Sequence, residues 1–163
     1  MRSKELINVL TIIGPNLNMI GTRQPEIYGS VTADQLNKKL QDLASELKIN
    51  LDIYQSNHEG FLIDKIQDST PKIDGILINP GAYGHTSIAL RDALTAAQKK
   101  TVEVHMSNIY KREEFRHFSY ISGVADAVIV GLGIDSYLLG LKALAQLLGR
   151  HETEAVNTIS IKA

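Results

Sequence analysis

Five short apolar runs recur along this chain, most of them separated by stretches whose apolar residues fall at helical spacing, and that alternation leaves few folds open. The first run, 7–13 (INVLTII), is nearly continuous in β-branched and apolar side chains, as a strand buried on both faces of a parallel sheet requires. Further strands are expected at 51–55, 75–78, 102–106 and 127–130. Between the first two, Thr32-Ala-Asp-Gln35 has the form of a capping box. Leu36, Leu40, Leu43, Ala44 and Leu47 follow at helical spacing, so the pattern predicts an amphipathic helix from Thr32 to about Lys48. A short helix is expected around 61–67, ended by Ser69-Thr70-Pro71, and another after a cap at Thr86 or Ser87, carrying Leu90, Ala93, Leu94 and Ala97. The last, 135–148, spreads its leucines over more than one face, which points to burial against a partner subunit. Right-handed crossovers turn such a series into an α/β fold: a five-stranded, doubly wound parallel sheet in flavodoxin-like order, with three α/β/α layers.

The chain has 163 residues, of which 44% are hydrophobic, enough for one domain with a substantial core and too few for two ordinary ones. We therefore expect a single catalytic domain over 1–163, with its core at about 7–148 and a loosely held tail after His151. A net charge of −1 with scattered Lys and Arg gives no reason to expect nucleic acid or a membrane surface as partner. The absence of cysteine excludes disulfides, thiolate chemistry and Cys-based metal sites. The N-terminal apolar run is too short for a signal peptide or a membrane span, and a cytoplasmic protein is the expectation.

Ligands of open α/β sheets bind beyond the carboxyl ends of the strands. Here those ends carry Asn16, Asn57-His58, Asn79-Pro-Gly81, His105-Met-Ser107 and Gly131-Leu-Gly133. From the first of them starts the segment 14–30, GPNLNMIGTRQPEIYGS, which has turn residues but also Leu17, Met19, Ile20 and Ile27. It reads as neither strand nor helix, and its length and apolar content suit a loop that closes over a ligand.

His105 follows Glu103 by two residues on one face of a strand, so the carboxylate can orient or charge the imidazole for acid chemistry; a structural His–Glu pair is the alternative. Arg23 and Tyr28 share the long loop. A phenol with a pKa of about 10 becomes a base near neutrality only if that value drops by about 3 units, or about 4 kcal/mol, which a guanidinium in a desolvated pocket can largely supply. A packed turn tyrosine and a solvated arginine are the plainer alternative. Asn16 and Asn79 can hold an oxyanion or a water, or else bond their own turns. His85 precedes a helix. Arg112 and Arg116 are candidate anion contacts, one of them expected to be a surface charge. Gly131-Leu-Gly133 imitates a dinucleotide fingerprint but follows the wrong strand and has Ser136 at the third glycine position. There is no P-loop and no nucleophile elbow, and the five histidines lack metal-site spacing.

Four collinear stretches, GPNLNMIGTRQPEIYG at 14–29, QSNHEG at 55–60, INPGAYGHTSIALRDAL at 78–94 and VEVHMSNIYKREEFR at 102–116, together resemble the type II 3-dehydroquinate dehydratases. The likeness runs from about Ile7 to Leu148. It implies a cofactor-free hydro-lyase, with no metal, that removes water from 3-dehydroquinate through an enolate to give 3-dehydroshikimate, in shikimate biosynthesis or quinate breakdown. On this resemblance Tyr28 is the tyrosinate base and Arg23 lowers its pKa. Asn16 stabilises the enolate, His105 is the general acid and Glu103 its carboxylate. Asn79, His85 and Arg116 contact substrate hydroxyls at a site that also takes in Gly81, and the backbone of Met106 and Ser107 receives the substrate carboxylate. Asp92 is implied to reach a neighbouring subunit's site in a homo-oligomer, a dodecamer built of four trimers. Two positions depart from the family pattern. Gln24 replaces a common Glu beside Arg23, which by charge favours tyrosinate slightly. Ser136 replaces a common Gly, where a packing adjustment is expected. A non-catalytic flavodoxin-like binding module and an enzyme for another cyclic hydroxy ketone are the rival readings.

Overall fold

The computed structural model describes residues 6–22 and 30–150. Arg23, Gln24 and Tyr28, and the tail expected after His151, lie outside the described residues. Five parallel strands, β1 (Ile7–Ile13), β2 (Ile49–Gln55), β3 (Gly75–Asn79), β4 (Lys100–His105) and β5 (Ala127–Val130), form one sheet in the order β2-β1-β3-β4-β5. This is the flavodoxin-like order expected from the alternation. The helices are α1 (Ala33–Glu46), α2 (Glu59–Ser69), α3 (Ile88–Ala97) and α4 (Asp135–Leu147).

Side chains alternate along each strand and so divide the core in two. Val9 and Ile13 of β1, Leu77 of β3 and Val102 and Val104 of β4 pack with Leu36 and Leu40 of α1 and Tyr137, Leu141 and Leu144 of α4. Leu10, Ile12, Ile76 and Ile78 face the other way, against Leu62 and Ile66 of α2 and Leu90 and Leu94 of α3. The expected capping box is formed, with Gln35 N–H donating to Thr32 Oγ1 at 3.3 Å and Thr32 N–H to Gln35 Oε1 at 3.0 Å. Of the two proposed caps for α3, Ser87 serves, its Oγ accepting from Leu90 N–H at 2.8 Å.

Some boundaries need correcting. β2 begins two residues before the predicted start because Asn50 faces water on an edge strand and hides the period. β4 begins earlier for a similar reason, with exposed Lys100 at its start, and ends at His105 rather than Met106. The loop after β1 is not wholly irregular, since Leu17–Met19 makes one 3-10 turn. On α4, Leu141 and Leu144 are buried within the chain, while Leu139 and Leu147 remain exposed.

Thr11 lies between Val9 and Ile13 in β1, an interior strand paired on both sides, and is fully buried, yet its hydroxyl has no hydrogen-bond partner among the described residues. A desolvated, unpaired hydroxyl destabilises the native state. Thr11→Val keeps the branched shape, and it is expected to raise stability by about 1 kcal/mol. The check is a higher urea midpoint at unchanged slope.

Candidate active site

Strand register sets the site. Ile13 of β1 pairs with Gln55 and with Asn79, and Ile78 of β3 pairs with Glu103, so the carboxyl ends of β2, β1, β3 and β4 open on the same edge. A cavity beyond that edge is lined by Asn16, Asn79, Gly81, His85, His105, Met106, Ser107 and Arg116, eight of the residues singled out from sequence. Arg112 lines it too, so the expectation that one arginine would be a surface charge is not met. The segment 107–116, with 3-10 turns at Ile109–Lys111 and Glu114–Arg116, brings both arginines to the cavity, and both are half-buried. Leu17, Met19 and Ile20, apolar residues of the loop expected to close over a ligand, wall the cavity together with Ile109, which the sequence did not point to. Asp92 is exposed on α3 and does not line this chain's cavity.

The first wall is welded by backbone contact. Gly14 N–H donates to Asn79 O at 2.8 Å, and a Cβ at Gly14 would stand 2.2 Å from Pro80 O. Only glycine fits there. Asn16 has φ 66°, a left-handed conformation that asparagine tolerates better than most residues. Its backbone N–H donates to Asn57 Oδ1 at 2.9 Å, and Gln55 Nε2 holds that same oxygen at 3.1 Å. The side-chain amide of Asn16 makes no hydrogen bond among the described residues and is exposed at the cavity. Asn57 therefore works through its neighbour's backbone, a role its place after β2 did not reveal.

The opposite wall holds a buried carboxylate. Glu103 points away from the Val102 and Val104 face and has no exposed surface. Its Oε1 meets His105 Nε2 at 2.7 Å and accepts from Ser119 Oγ at 2.6 Å, and Oε2 accepts from Ser122 Oγ. Burial alone would raise the Glu103 pKa, but these donors outweigh it and hold the carboxyl below the usual range. An ionised Glu103 can only accept, so Nε2 of His105 carries a proton and Nδ1 is the nitrogen left over for a ligand. As a neutral ring Nδ1 accepts; as imidazolium it donates. Sequence spacing found the Glu–His pair, whereas the two serines sit in an irregular segment with no periodicity to tie them to β4.

His85 stacks near His105, with ring centroids 6.2 Å apart and planes 21° apart. Its Nδ1 lies 2.7 Å from Phe118 O, and a carbonyl only accepts, so Nδ1 carries the proton and Nε2 offers a lone pair. Burial lowers the His85 pKa, and the charges of His105 and Arg116 lower it further, against the opposing Phe118 bond. Arg116 is steered by Glu113, which accepts from its Nε at 2.9 Å. Arg112 Nη1 donates to Ser107 Oγ at 3.3 Å, which ties the middle of the 107–116 segment back to its start. Among the described residues no group of three or more His, Cys, Asp or Glu could hold a metal ion, and no helix is long and apolar enough to cross a membrane.

The Glu103 network has a consequence for stability. Its folded pKa is below the unfolded value, so the ionised form contributes stability that is present above the ordinary carboxylate range and is lost as pH falls through the lowered folded value. Glu103→Gln keeps the shape but turns an amide N–H toward donors. It should cost about 2 kcal/mol at neutral pH, with the gap to wild type narrowing in acid. Urea unfolding across a pH series would check this, and a gap that stays constant into acid would argue against an ionised Glu103.

A cavity that holds a carboxylate-backed imidazole and an uncommitted asparagine amide has groups that can do acid–base chemistry. The family description "Dehydroquinase class II" matches residues 7–145. The chain belongs to the class II dehydroquinases. A relative from Geotalea daltonii, named 3-dehydroquinate dehydratase, is 56% identical over 138 residues, covering 85% of this chain and 96% of its own. One from Endomicrobium trichonymphae with the same name is 54% identical over 140 residues, covering 86% and 98%. Among solved structures, the type II dehydroquinase from Butyrivibrio crossotus superposes with a TM-score of 0.84 at 44% identity, covering 85% of this chain and 97% of that one. Class II dehydroquinases with this likeness share the five-stranded fold described above. Ser136, where the resemblance suggested a packing change, is fully buried and accepts from Leu132 N–H through its Oγ at 3.1 Å, so it also ties down the start of α4.

Proposed function

We propose that this class II dehydroquinase removes water from 3-dehydroquinate through an enolate, with Tyr28 as base and His105 as acid. Tyr28, as tyrosinate, takes the proton alpha to the ketone. The electron pair moves onto the carbonyl oxygen, and the enolate forms. Asn16 stabilises the negative oxygen, directly or through a water. The enolate then collapses: the carbon–carbon double bond forms as the β-hydroxyl leaves, and imidazolium His105 gives that oxygen its proton from Nδ1, so that water departs. Glu103 holds the opposite ring nitrogen and so orients the ring. Arg23 supplies the positive charge that keeps Tyr28 ionised. His85, neutral, accepts a hydrogen bond from a substrate hydroxyl at Nε2, while Arg116 and the Met106-Ser107 backbone receive the polar and carboxylate groups. A β-hydroxy ketone needs only base, acid and enolate stabilisation, so the proposal includes no cofactor and no covalent intermediate.

The observation that supports this reading most is the buried Glu103–His105 pair on a cavity shared with Asn16. Asp92 is proposed to serve a neighbouring copy in a homo-oligomer. The test is ultraviolet absorbance of purified protein with 3-dehydroquinate, which should grow as the conjugated enone forms. Folded protein that produces no enone would refute the assignment.

A further inference from the structure

Tyr137 is fully buried on α4, within the apolar cluster that contains Leu77, Val104 and Leu141. A tyrosine at such a place brings a hydroxyl that must find a partner. The partner is a residue of the cavity: Asn79 Nδ2 donates to Tyr137 Oη at 2.7 Å. At the other side of the same amide, Oδ1 accepts from Gly81 N–H at 3.1 Å. Asn79 itself is only 3% exposed, lies on the same face of β3 as Leu77, and lines the cavity.

The Gly81 bond fixes which way round the amide sits, since a backbone N–H only donates, and the Tyr137 bond, which a hydroxyl could make in either sense, holds the amide in place. Turning it over would set Nδ2 against the Gly81 N–H, donor against donor. An amide has two N–H groups and an oxygen with two lone pairs. With one N–H given to Tyr137 and one lone pair to Gly81, one N–H is left over. We infer that Tyr137 is a positioning residue: by taking one N–H of Asn79 it holds in place an amide, oriented by Gly81, whose second N–H donates to a hydroxyl oxygen of the cyclic substrate. The contact is to a hydroxyl that does not react, so it holds ground state and transition state alike.

The inference rests on the dehydratase reading, and enone formation by the wild type tests that reading separately. Tyr137→Phe keeps the ring and removes only the oxygen. Its KM for 3-dehydroquinate is expected to rise about tenfold, the worth of one oriented hydrogen bond, while kcat falls far less and the limbs of the pH profile stay in place. A role confined to packing would lower the denaturation midpoint without this split. The decisive comparison adds Asn79→Ala: if Tyr137 acts through Asn79, Tyr137→Phe raises KM no further in that background. Full additivity, or wild-type KM in folded Tyr137→Phe, would overturn the inference. If Tyr137→Phe does not fold, Asn79→Asp carries the test, since it keeps an acceptor for Gly81 and loses the donor. KM raised at least tenfold is expected there, and an unchanged KM would overturn the inference. Wild type without turnover would sink the dehydratase reading and this inference together, whereas turnover with an unmoved KM in the variants sinks the positioning role alone.

Discussion

Tyr28→Phe protein, mixed with 3-dehydroquinate, should remain folded and produce enone about 10²- to 10⁴-fold more slowly than wild type, the usual contribution of a positioned base. The ring is retained and one oxygen is removed, so loss of turnover without loss of the circular dichroism spectrum would mark the oxygen as the reacting group. The variant should also stop the first half of the reaction. In heavy water, wild-type protein is expected to exchange the α-hydrogen of the substrate as the enolate forms and reverts, and Tyr28→Phe is not. Near-normal turnover or undiminished exchange would remove Tyr28 from the role of base.

His105→Gln should separate the two halves. Glutamine can still donate an N–H to Glu103, which keeps the buried carboxylate paired, but it has no proton to give a departing hydroxyl. Enone formation is expected to fall about 10²- to 10⁴-fold, while α-hydrogen exchange persists, because the base and the enolate-stabilising groups are intact. If exchange and elimination fell together, His105 would have to act before the enolate rather than after it. Two variants, each read by the same two measurements, therefore assign base and acid independently.

What the sequence made legible follows the range of the interactions involved. The strands and helices came from local periodicity, since β1 and α1 each carry their own pattern of buried positions, and their order and layers from the right-handed crossovers that such an alternation takes. The cavity residues at strand ends were legible because the edge where parallel strands terminate is fixed by topology. The serines that hold Glu103 were not, because Ser119 and Ser122 reach β4 from 16 and 19 residues away through an irregular segment. Tyr137 was lost among the leucines of α4 for a related reason: nothing in a helical pattern says that one buried ring will end on a strand residue 58 positions earlier. Arg112 and Arg116 differ by one turn of an irregular segment, and only the fold of that segment decides that both face inward. For Arg23 and Tyr28 the argument remains chemical and familial.

The contact of Gly14 with Pro80 bears on how the substrate range of this protein could be altered. Asn16 and Asn79 leave adjacent strands whose ends are joined by a backbone hydrogen bond with no room for a methyl group between them. Those two amides therefore form one rigid template, and a substitution that shifts either displaces both. The segment 107–116 lies beyond the sheet and is held by local backbone bonds of its two 3-10 turns and by side-chain pairs such as Arg116 with Glu113. Directed evolution toward a larger or differently substituted ring should gather its accepted changes on that side of the cavity and leave the template unaltered.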